Sequence, residues 1–123
     1  MINKYSLELK FQDTAIFTSN GKWLYPLFEL EKFLADNSYD PAKLTLYDKI
    51  IGKASALLII RMGIKKVNGG IVSEPAESAF KAWDIEYSIE KHVKLIDCKT
   101  EELLKSISDP EEVYRIIKKR AGN

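Results

Sequence analysis

Between residues 44 and 89, apolar runs of strand length alternate with segments of helical periodicity, and this alternation constrains the fold more than any other feature. The strand-length runs are 44–47, 67–72 and 85–89. A helical pattern over 48–63 separates the first two, and another helix separates the last two. Strands that are joined through helices are usually parallel. The pattern therefore predicts an α/β domain with helices packed on a mixed sheet.

The N-terminal part of the chain predicts a β-hairpin. Residues 14–18 and 23–25 are rich in β-branched and aromatic side chains, and Asn20-Gly21 lies between them. Asn-Gly is favoured in tight hairpin turns, because both central residues need a positive φ. The segment 4–11 alternates only loosely, and its pattern fits a strand or a short helix.

Three prolines mark predicted helix starts. Pro26, Pro75 and Pro110 each precede apolar residues at helical spacing, and proline is well suited to the first turn because its missing N–H has no partner there. Thr100 is the expected N-cap of another helix in the C-terminal third.

The apolar segment after residue 47 is predicted as one helix over 48–63. Asp48 would be its N-cap, and Gly63 would follow its last turn. Its later turns are apolar on nearly every side, which indicates a helix that is covered by the sheet and by other helices. Gly69 and Gly70 indicate a bulge or a close approach of backbones in the following strand.

Composition bounds the classes of function. The length of 123 residues fits a single domain, 1–123, and the formal charge of +1 predicts no nucleic-acid footprint. The single cysteine excludes an intramolecular disulfide, and no signal peptide is visible. The longest apolar run, 54–60, is too short to span a bilayer. We therefore expect a cytoplasmic protein without a membrane partner, and the sequence is compatible with a homo-oligomer.

Two strand-to-helix junctions carry the candidate ligand-binding residues, because ligand sites in open α/β sheets lie outside the carboxyl ends of the strands. The candidates are Asp48, Lys49, Gly52 and Lys53 at the first junction and Ser73 and Glu74 at the second. Lys49 and Lys53 are four residues apart and would share one helix face, where they could bind a phosphate or carboxylate. The alternative is that Asp48 and Ser73 or Glu74 are only helix caps and that the lysines are solvated.

The order of elements, with Asp-Lys-x-x-Gly-Lys-Ala at 48–54 and Ser-Glu-Pro-Ala at 73–76, resembles a family of uncharacterised proteins, a domain of unknown function with a cytidine-deaminase-like fold. The resemblance covers 14–89 and implies a three-layer α/β/α sandwich with both motif helices side by side on one face of a mixed sheet. In true deaminases these helices carry the zinc ligands and the proton shuttle. Neither stretch holds a histidine or cysteine here, so the sequence predicts no zinc site and no cofactor.

His92 and Cys98 could suggest a base and a nucleophile, yet nothing in the sequence brings them together. A free cysteine is usually a small buried hydrophobe, and His92 is expected on the surface.

Three functions remain open. The first is binding of a small anionic or nucleotide-like ligand between the two junctions. The second is an enzyme of unassigned reaction at the same place, with Asp48 or Glu74 as acid or base. The third is a module for self-association or for binding another protein, without catalysis. Because the candidate residues lie at the strand-to-helix junctions, we rank ligand binding first.

Overall fold

The computed structural model describes residues 4–96 and 98–121. The strands are β1 (Leu7–Phe11), β2 (Thr14–Ser19), β3 (Leu44–Ile51), β4 (Lys66–Ser73) and β5 (Glu86–Val93). The helices are α1 (Tyr25–Asp36), α2 (Lys53–Arg61), α3 (Glu74–Ala82), α4 (Cys98–Leu103) and α5 (Pro110–Arg120), and a short 3-10 turn at Pro41–Lys43 precedes β3. Among the helices of the described residues, none combines the length and the hydrophobicity that a membrane span requires.

The five strands form one mixed sheet in the order β2-β1-β3-β4-β5. The strands β3, β4 and β5 are parallel to one another, with β5 at the edge of the sheet, and β1 is antiparallel to both of its neighbours. The parallel strands are joined through α2 and α3, as the alternation in the sequence predicts. The mixed α/β class is therefore confirmed.

An N-terminal hairpin exists, and the predicted strand at 14–18 is confirmed as β2, but its partner strand differs from the prediction. β1 pairs with β2 through a turn at Gln12, whose φ is 58°, and residues 23–25 are not a strand. The segment 4–11 provides the partner strand, because its leucines are fully buried against the helices. Leu24, also buried, is the N-cap residue of α1 and packs into the core from there. The prediction of a turn at Asn20-Gly21 is wrong.

The first junction lies four residues later than predicted. Asp48 pairs with Leu7 of β1 and Gly69 of β4, so it lies inside β3, and α2 begins only at Lys53. Asp48 pairs on both sides, and Ile50 and Ile51 continue the pairing with β4, which satisfies this backbone better than the exposed first turn of a helix would. Asp48 is therefore not an N-cap, and the prediction that Lys49 and Lys53 share a helix face is wrong.

The glycine pair in β4 marks a close approach of two backbones. A Cβ atom on Gly70 would lie 2.5 Å from the carbonyl oxygen of Lys49 in β3. Only glycine fits at this position, because 2.5 Å is far shorter than an ordinary contact between a carbon and an oxygen. The close-approach prediction is confirmed, and it fixes the spacing of β3 and β4 beside the first junction.

The helix starts at the prolines agree with prediction, whereas the start at Thr100 does not. Ser73 caps α3 by accepting a hydrogen bond from the Ala76 N–H at 3.2 Å, and Asp109 caps α5 in the same way. Pro26 lies in the first turn of α1. Thr100 is the third residue of α4 and is buried inside it, because that helix begins at Cys98.

α2 is the central helix of the described structure. It is buried from Ala54 to Ile60, as the sequence predicts. α1, α3, α4 and α5 each pack against it. The opposite face of the sheet carries exposed polar side chains, at Lys66, Asn68, Glu86, Ser88 and Glu90. Such side chains need no covering layer. The helices of residues 4–96 and 98–121 thus lie on one face, and the predicted three-layer α/β/α sandwich is corrected to a sheet covered on one side.

Candidate functional site

A cavity of about 280 Å³ opens at the carboxyl end of β3. Its walls come from the segment that leads into α1, from the end of β3, from the first turn of α2 and from α4. This is the region at which the sequence predicts a ligand site. The cavity is lined by Ser6, Gly21, Lys22, Trp23, Leu24, Pro26, Asp48, Lys49, Ile50, Gly52, Lys53, Ala54, Ser55, Ile96, Thr100 and Glu101.

Asp48 is the buried titratable group in this cavity. Its side chain is on the helix-covered face of β3, like those of Leu44 and Leu46, and the residue is only 8% exposed. The backbone N–H of Ile50 donates a hydrogen bond to the carboxylate, which favours the ionised form. Burial outweighs this bond and raises the pKa of Asp48 to about 7. The group is therefore able to take up or release a proton near neutral pH.

Glu101 is a second buried carboxylate in the same wall, and its partners give it a structural role. Its oxygens accept hydrogen bonds from the Lys53 N–H at 2.7 Å, the Ser73 hydroxyl at 2.8 Å and the Ile96 N–H at 2.9 Å. The bond from Lys53 satisfies the first N–H of α2, so Glu101 performs the capping role that the sequence assigns to Asp48. It also ties the start of α2 to the start of α3 through Ser73.

The two lysines of the first junction lie in different surroundings. Lys49 is an exposed residue at the rim of the cavity. The Lys53 ammonium group donates hydrogen bonds to the carbonyl oxygens of Leu104 at 2.7 Å and Lys105 at 3.4 Å, just after α4. Burial lowers the pKa of Lys53, and the charge of Glu101 opposes that effect. The amine of Lys53 is thus engaged in holding α4 in place, while Lys49 stays exposed, as does Lys22, which also lines the cavity.

The second junction reaches the cavity only through Glu101. Ser73 is completely buried, and its hydroxyl serves both α3 and Glu101. Glu74 is exposed in the first turn of α3 and does not line the cavity. The structure therefore brings Asp48, Lys49, Gly52 and Lys53 together around the cavity, places Ser73 behind its wall, and leaves Glu74 outside it.

Trp23 contributes an aromatic wall that the sequence does not reveal as part of the site. The residue lines the cavity, is 40% exposed and has a φ of 57°, which is unusual for a bulky side chain. Such conformations cluster at functional sites, because the surrounding structure has to maintain them. Ile50, 49% exposed, adds a second apolar wall. Glu101 and Trp23 carry no local sequence signal, since only the fold brings them to β3.

His92 is not part of this arrangement. The His92 imidazole lies on β5 with its Nδ1 atom 3.4 Å from the Glu77 carboxylate, and Glu77 also accepts a hydrogen bond from the Tyr87 hydroxyl at 2.8 Å. The side chain of Cys98 lies outside the described part of the structure. Among the described residues, no group of three histidine, cysteine, aspartate or glutamate side chains is arranged to hold a metal ion.

Two comparisons connect the chain with known proteins. A family profile described as TM1506, Domain of unknown function (DUF1893), matches residues 2–120. The crystal structure of a DUF1893 family protein, TM1506 from Thermotoga maritima, superposes with a TM-score of 0.82 at 25% sequence identity, and the match covers 94% of this chain and 80% of that one. No protein with a curated description matches the sequence.

Proposed function

The chain belongs to the DUF1893 family of domains of unknown function, so its activity has to be inferred from the cavity itself, and we propose that this cavity binds a small nucleotide-like ligand. The observation that carries the proposal is the Asp48 carboxyl, buried at the end of β3 inside an open cavity of about 280 Å³. That volume is close to the lower end of the range for small-molecule sites.

The contrast between the two buried carboxyls supports a binding role for Asp48. A structural carboxylate such as Glu101 is surrounded by hydrogen-bond donors that offset its loss of water. The Asp48 carboxyl receives a backbone bond from Ile50, which leaves capacity to accept further bonds from a ligand. Keeping an acidic group here costs stability, and a ligand that supplies N–H donors would offset this cost.

The walls indicate the shape and polarity of the ligand. The indole of Trp23 and the side chain of Ile50 offer apolar surfaces against which a planar ring can pack. A heterocycle lying there would direct its ring N–H or amino group towards Asp48. A small inorganic anion alone would be repelled by the ionised form of this carboxyl, so we rank a nucleotide-like ligand above a simple anion.

An anionic substituent of such a ligand would bind to basic side chains at the rim of the cavity. Lys22 and Lys49 are exposed there, and their ammonium groups attract negative charge. The ligand would thus lie with its ring towards Asp48 and its phosphate or carboxylate towards solvent.

The cellular location is a separate proposal. The chain has a single cysteine and therefore no intramolecular disulfide that would require an oxidising compartment, and on this basis we propose that the protein is cytoplasmic.

We also propose that the domain is a zinc-free relative of the cytidine-deaminase-like proteins. Two observations support this relationship: the motif helices α2 and α3 pack side by side, and the cavity lies at the strand-to-helix end of α2. The covering of the sheet on one face departs from the three-layer arrangement that the resemblance implies.

Thermal-shift measurements with nucleosides, nucleotides and inorganic phosphate test the binding proposal, because a ligand that binds the native state raises the melting temperature. We expect nucleotides to give the largest shift and phosphate the smallest. The Asp48→Asn variant should lose most of the shift relative to its own unliganded melting temperature, whereas Asp36→Asn, an exposed carboxyl on α1, should retain it. Equal shifts in both variants, or none across the panel, would contradict the proposal.

The pKa of Asp48 favours one alternative, an enzyme that uses this group as acid or base. A catalytic acid or base works best when its pKa is near the working pH, and Asp48 meets this condition at about 7. Incubation with the nucleotide that gives the largest shift, followed by mass spectrometry, tests this alternative. A product that forms with the wild type and not with Asp48→Asn would establish catalysis, and an unchanged nucleotide would leave binding alone.

A further inference from the structure

The outer edge of β2 is the feature that the proposed function leaves unused. β2 is the last strand on one side of the sheet, and within the described ranges it is paired only with β1, with a register shift between Leu9 and Lys10 that leaves Ile16 between two paired residues. Its sequence, Thr-Ala-Ile-Phe-Thr-Ser, contains no charge, no proline and no glycine. An edge strand of this kind presents backbone N–H and C=O groups to any strand that can approach, and proteins usually protect such edges with charged residues.

The other edge of the same sheet is protected in this way. β5 carries Glu86, Glu90, Lys91 and His92 along eight residues, and all four side chains are exposed. These groups disfavour the approach of a second strand. The two edges of the sheet thus differ in charge, one of the properties that limit pairing between chains, and the difference points to β2 as the associating edge.

A band of partly buried aromatic rings lies beside the hairpin of β1 and β2. The Phe17 ring lies 5.2 Å from that of Phe33, Phe33 lies 6.1 Å from Tyr39, and Tyr39 lies 5.7 Å from Phe11. All four side chains are half-buried. Further burial of these aromatic rings is energetically favourable. A partner that extends the sheet at β2 would cover part of this band and would be stabilised by doing so.

The charges that flank β2 favour one relative orientation. Asp13 precedes the strand, Lys22 follows it after a short loop, and both are exposed. In an antiparallel pair of two β2 strands, the Asp13 end of each lies beside the Lys22 end of the other. A parallel pair would bring like charges together instead, which is destabilising.

We propose that two copies of this protein associate through antiparallel pairing of their β2 strands, so that the two five-stranded sheets become one continuous sheet. A second copy fits this edge because a neutral strand with unlike charges at its ends is complementary to itself under a two-fold rotation. The helix-covered faces of both copies then lie beside each other, and their aromatic bands meet near the two-fold axis.

Sedimentation velocity over a wide range of protein concentration tests the proposal in the full chain. Wild-type protein should show a reversible monomer–dimer equilibrium. Thr18→Lys introduces the charge that protects natural edges, and it leaves the monomer intact because the cross-strand neighbour of Thr18 is Glu8. We expect its dimer dissociation constant to rise at least about tenfold, which corresponds to about 1.4 kcal/mol. Ser88→Lys, an exposed position on the β5 edge, should leave the dissociation constant unchanged.

Hydrogen exchange of the wild type provides a measurement that needs no variant. Amides of β2 should become more protected as protein concentration rises, and amides of β5 should not. A protein that stays monomeric at every concentration would overturn the proposal. A dimer that Thr18→Lys does not weaken, or whose concentration-dependent protection lies outside β2, would overturn it as well.

Discussion

Asp48 and Glu101 line the same cavity, but they differ in the number of N–H and O–H groups that donate hydrogen bonds to each carboxylate, and this difference gives them different roles. Glu101 receives three donors and holds the starts of α2 and α3 together. Asp48 is buried without comparable compensation, and its pKa is raised to about 7. A residue whose ionisation opposes folding is one that a ligand or a reaction can use, which is why perturbed groups in cavities indicate functional sites.

The raised pKa of Asp48 makes stability depend on pH. The carboxyl of an aspartate in an unfolded chain has a pKa of about 4, so the native state binds the proton more tightly. The contribution of Asp48 to stability is therefore fully present below pH ~4 and is lost as pH rises through about 7. Asp48→Asn cannot ionise, and we expect it to exceed the wild type in unfolding free energy by up to about 4 kcal/mol at pH 8, with little difference near pH 4.

Urea unfolding at a series of pH values measures this difference. Asp36→Asn, which replaces an exposed carboxyl, should show a small difference that does not vary in the same way. A difference between wild type and Asp48→Asn that is the same at every pH would show that the native carboxyl is not perturbed.

Removal of Glu101 should be strongly destabilising. In Glu101→Ala the buried hydroxyl of Ser73 and the partly buried N–H groups of Lys53 and Ile96 lose their acceptor. We expect a loss of about 3–5 kcal/mol in unfolding free energy, because unsatisfied buried donors retain their full desolvation cost. Glu102→Ala, at the exposed neighbouring position, is the matched control and should change stability by less than about 0.5 kcal/mol. A loss below about 1 kcal/mol for Glu101→Ala would contradict the capping role.

At the scale of elements, Arg61 joins three helices. Its guanidinium at the end of α2 donates to Glu31 of α1 and to Glu111 of α5, each at 2.7 Å, and lies 3.6 Å from the centre of the Tyr114 ring. Tyr114 also donates a hydrogen bond to Glu31 at 2.9 Å. The flat, forked guanidinium group makes both ion pairs and stacks on the ring at the same time.

Arg61→Lys should therefore lower stability even though it keeps the charge. A lysine cannot reach both carboxylates with two N–H groups in one plane and stack on Tyr114 as well. Since the side chain is 25% exposed and partly screened by water, we expect a loss of about 1–2 kcal/mol. Thermal unfolding measures it, with Arg115→Lys on the exposed side of α5 as the control. Equal melting temperatures for the two variants would show that Arg61 acts only as a surface charge.

At the scale of the whole molecule, the sheet is covered by helices on one face and carries polar side chains on the other. Val67 of β4 is buried against the helices, and its neighbour Asn68 points to the exposed face, where it accepts a hydrogen bond from Ser88 at 2.6 Å. The core is thus concentrated between the sheet and α2, whose residues from Ala54 to Ile60 are buried.

Substitution of these neighbours tests the one-sided architecture. Val67→Ala removes buried methyl groups and should cost about 2 kcal/mol, since the cavity that remains is enclosed. Asn68→Ala affects only an exposed hydrogen bond and should cost less than about 0.5 kcal/mol. Chemical denaturation of both variants measures the two losses in unfolding free energy. Comparable losses at the two positions would indicate that the second face is covered too.

The sequence by itself determined the features that depend on a few neighbouring residues. The prolines mark helix starts because their φ angle suits the first turn, and Ser73 and Asp109 cap the helices that follow them. The alternation of apolar runs with helical patterns determined the mixed α/β sheet with parallel strands. The placement of a candidate site after β3 followed from the same order of elements.

Only the tertiary structure decided where β3 ends and what lines the cavity. Asp48 suits a helix cap locally, but pairing with β1 and β4 extends the strand through it, and the cap of α2 comes from Glu101, 48 residues further along the chain. The partner strand of the hairpin was decided in the same way, by the burial of Leu7 and Leu9. The physical reason is that a cap or a turn gains about 1 kcal/mol from its own neighbours, whereas strand pairing and burial draw on contacts between residues that are distant in sequence and meet only in the folded protein.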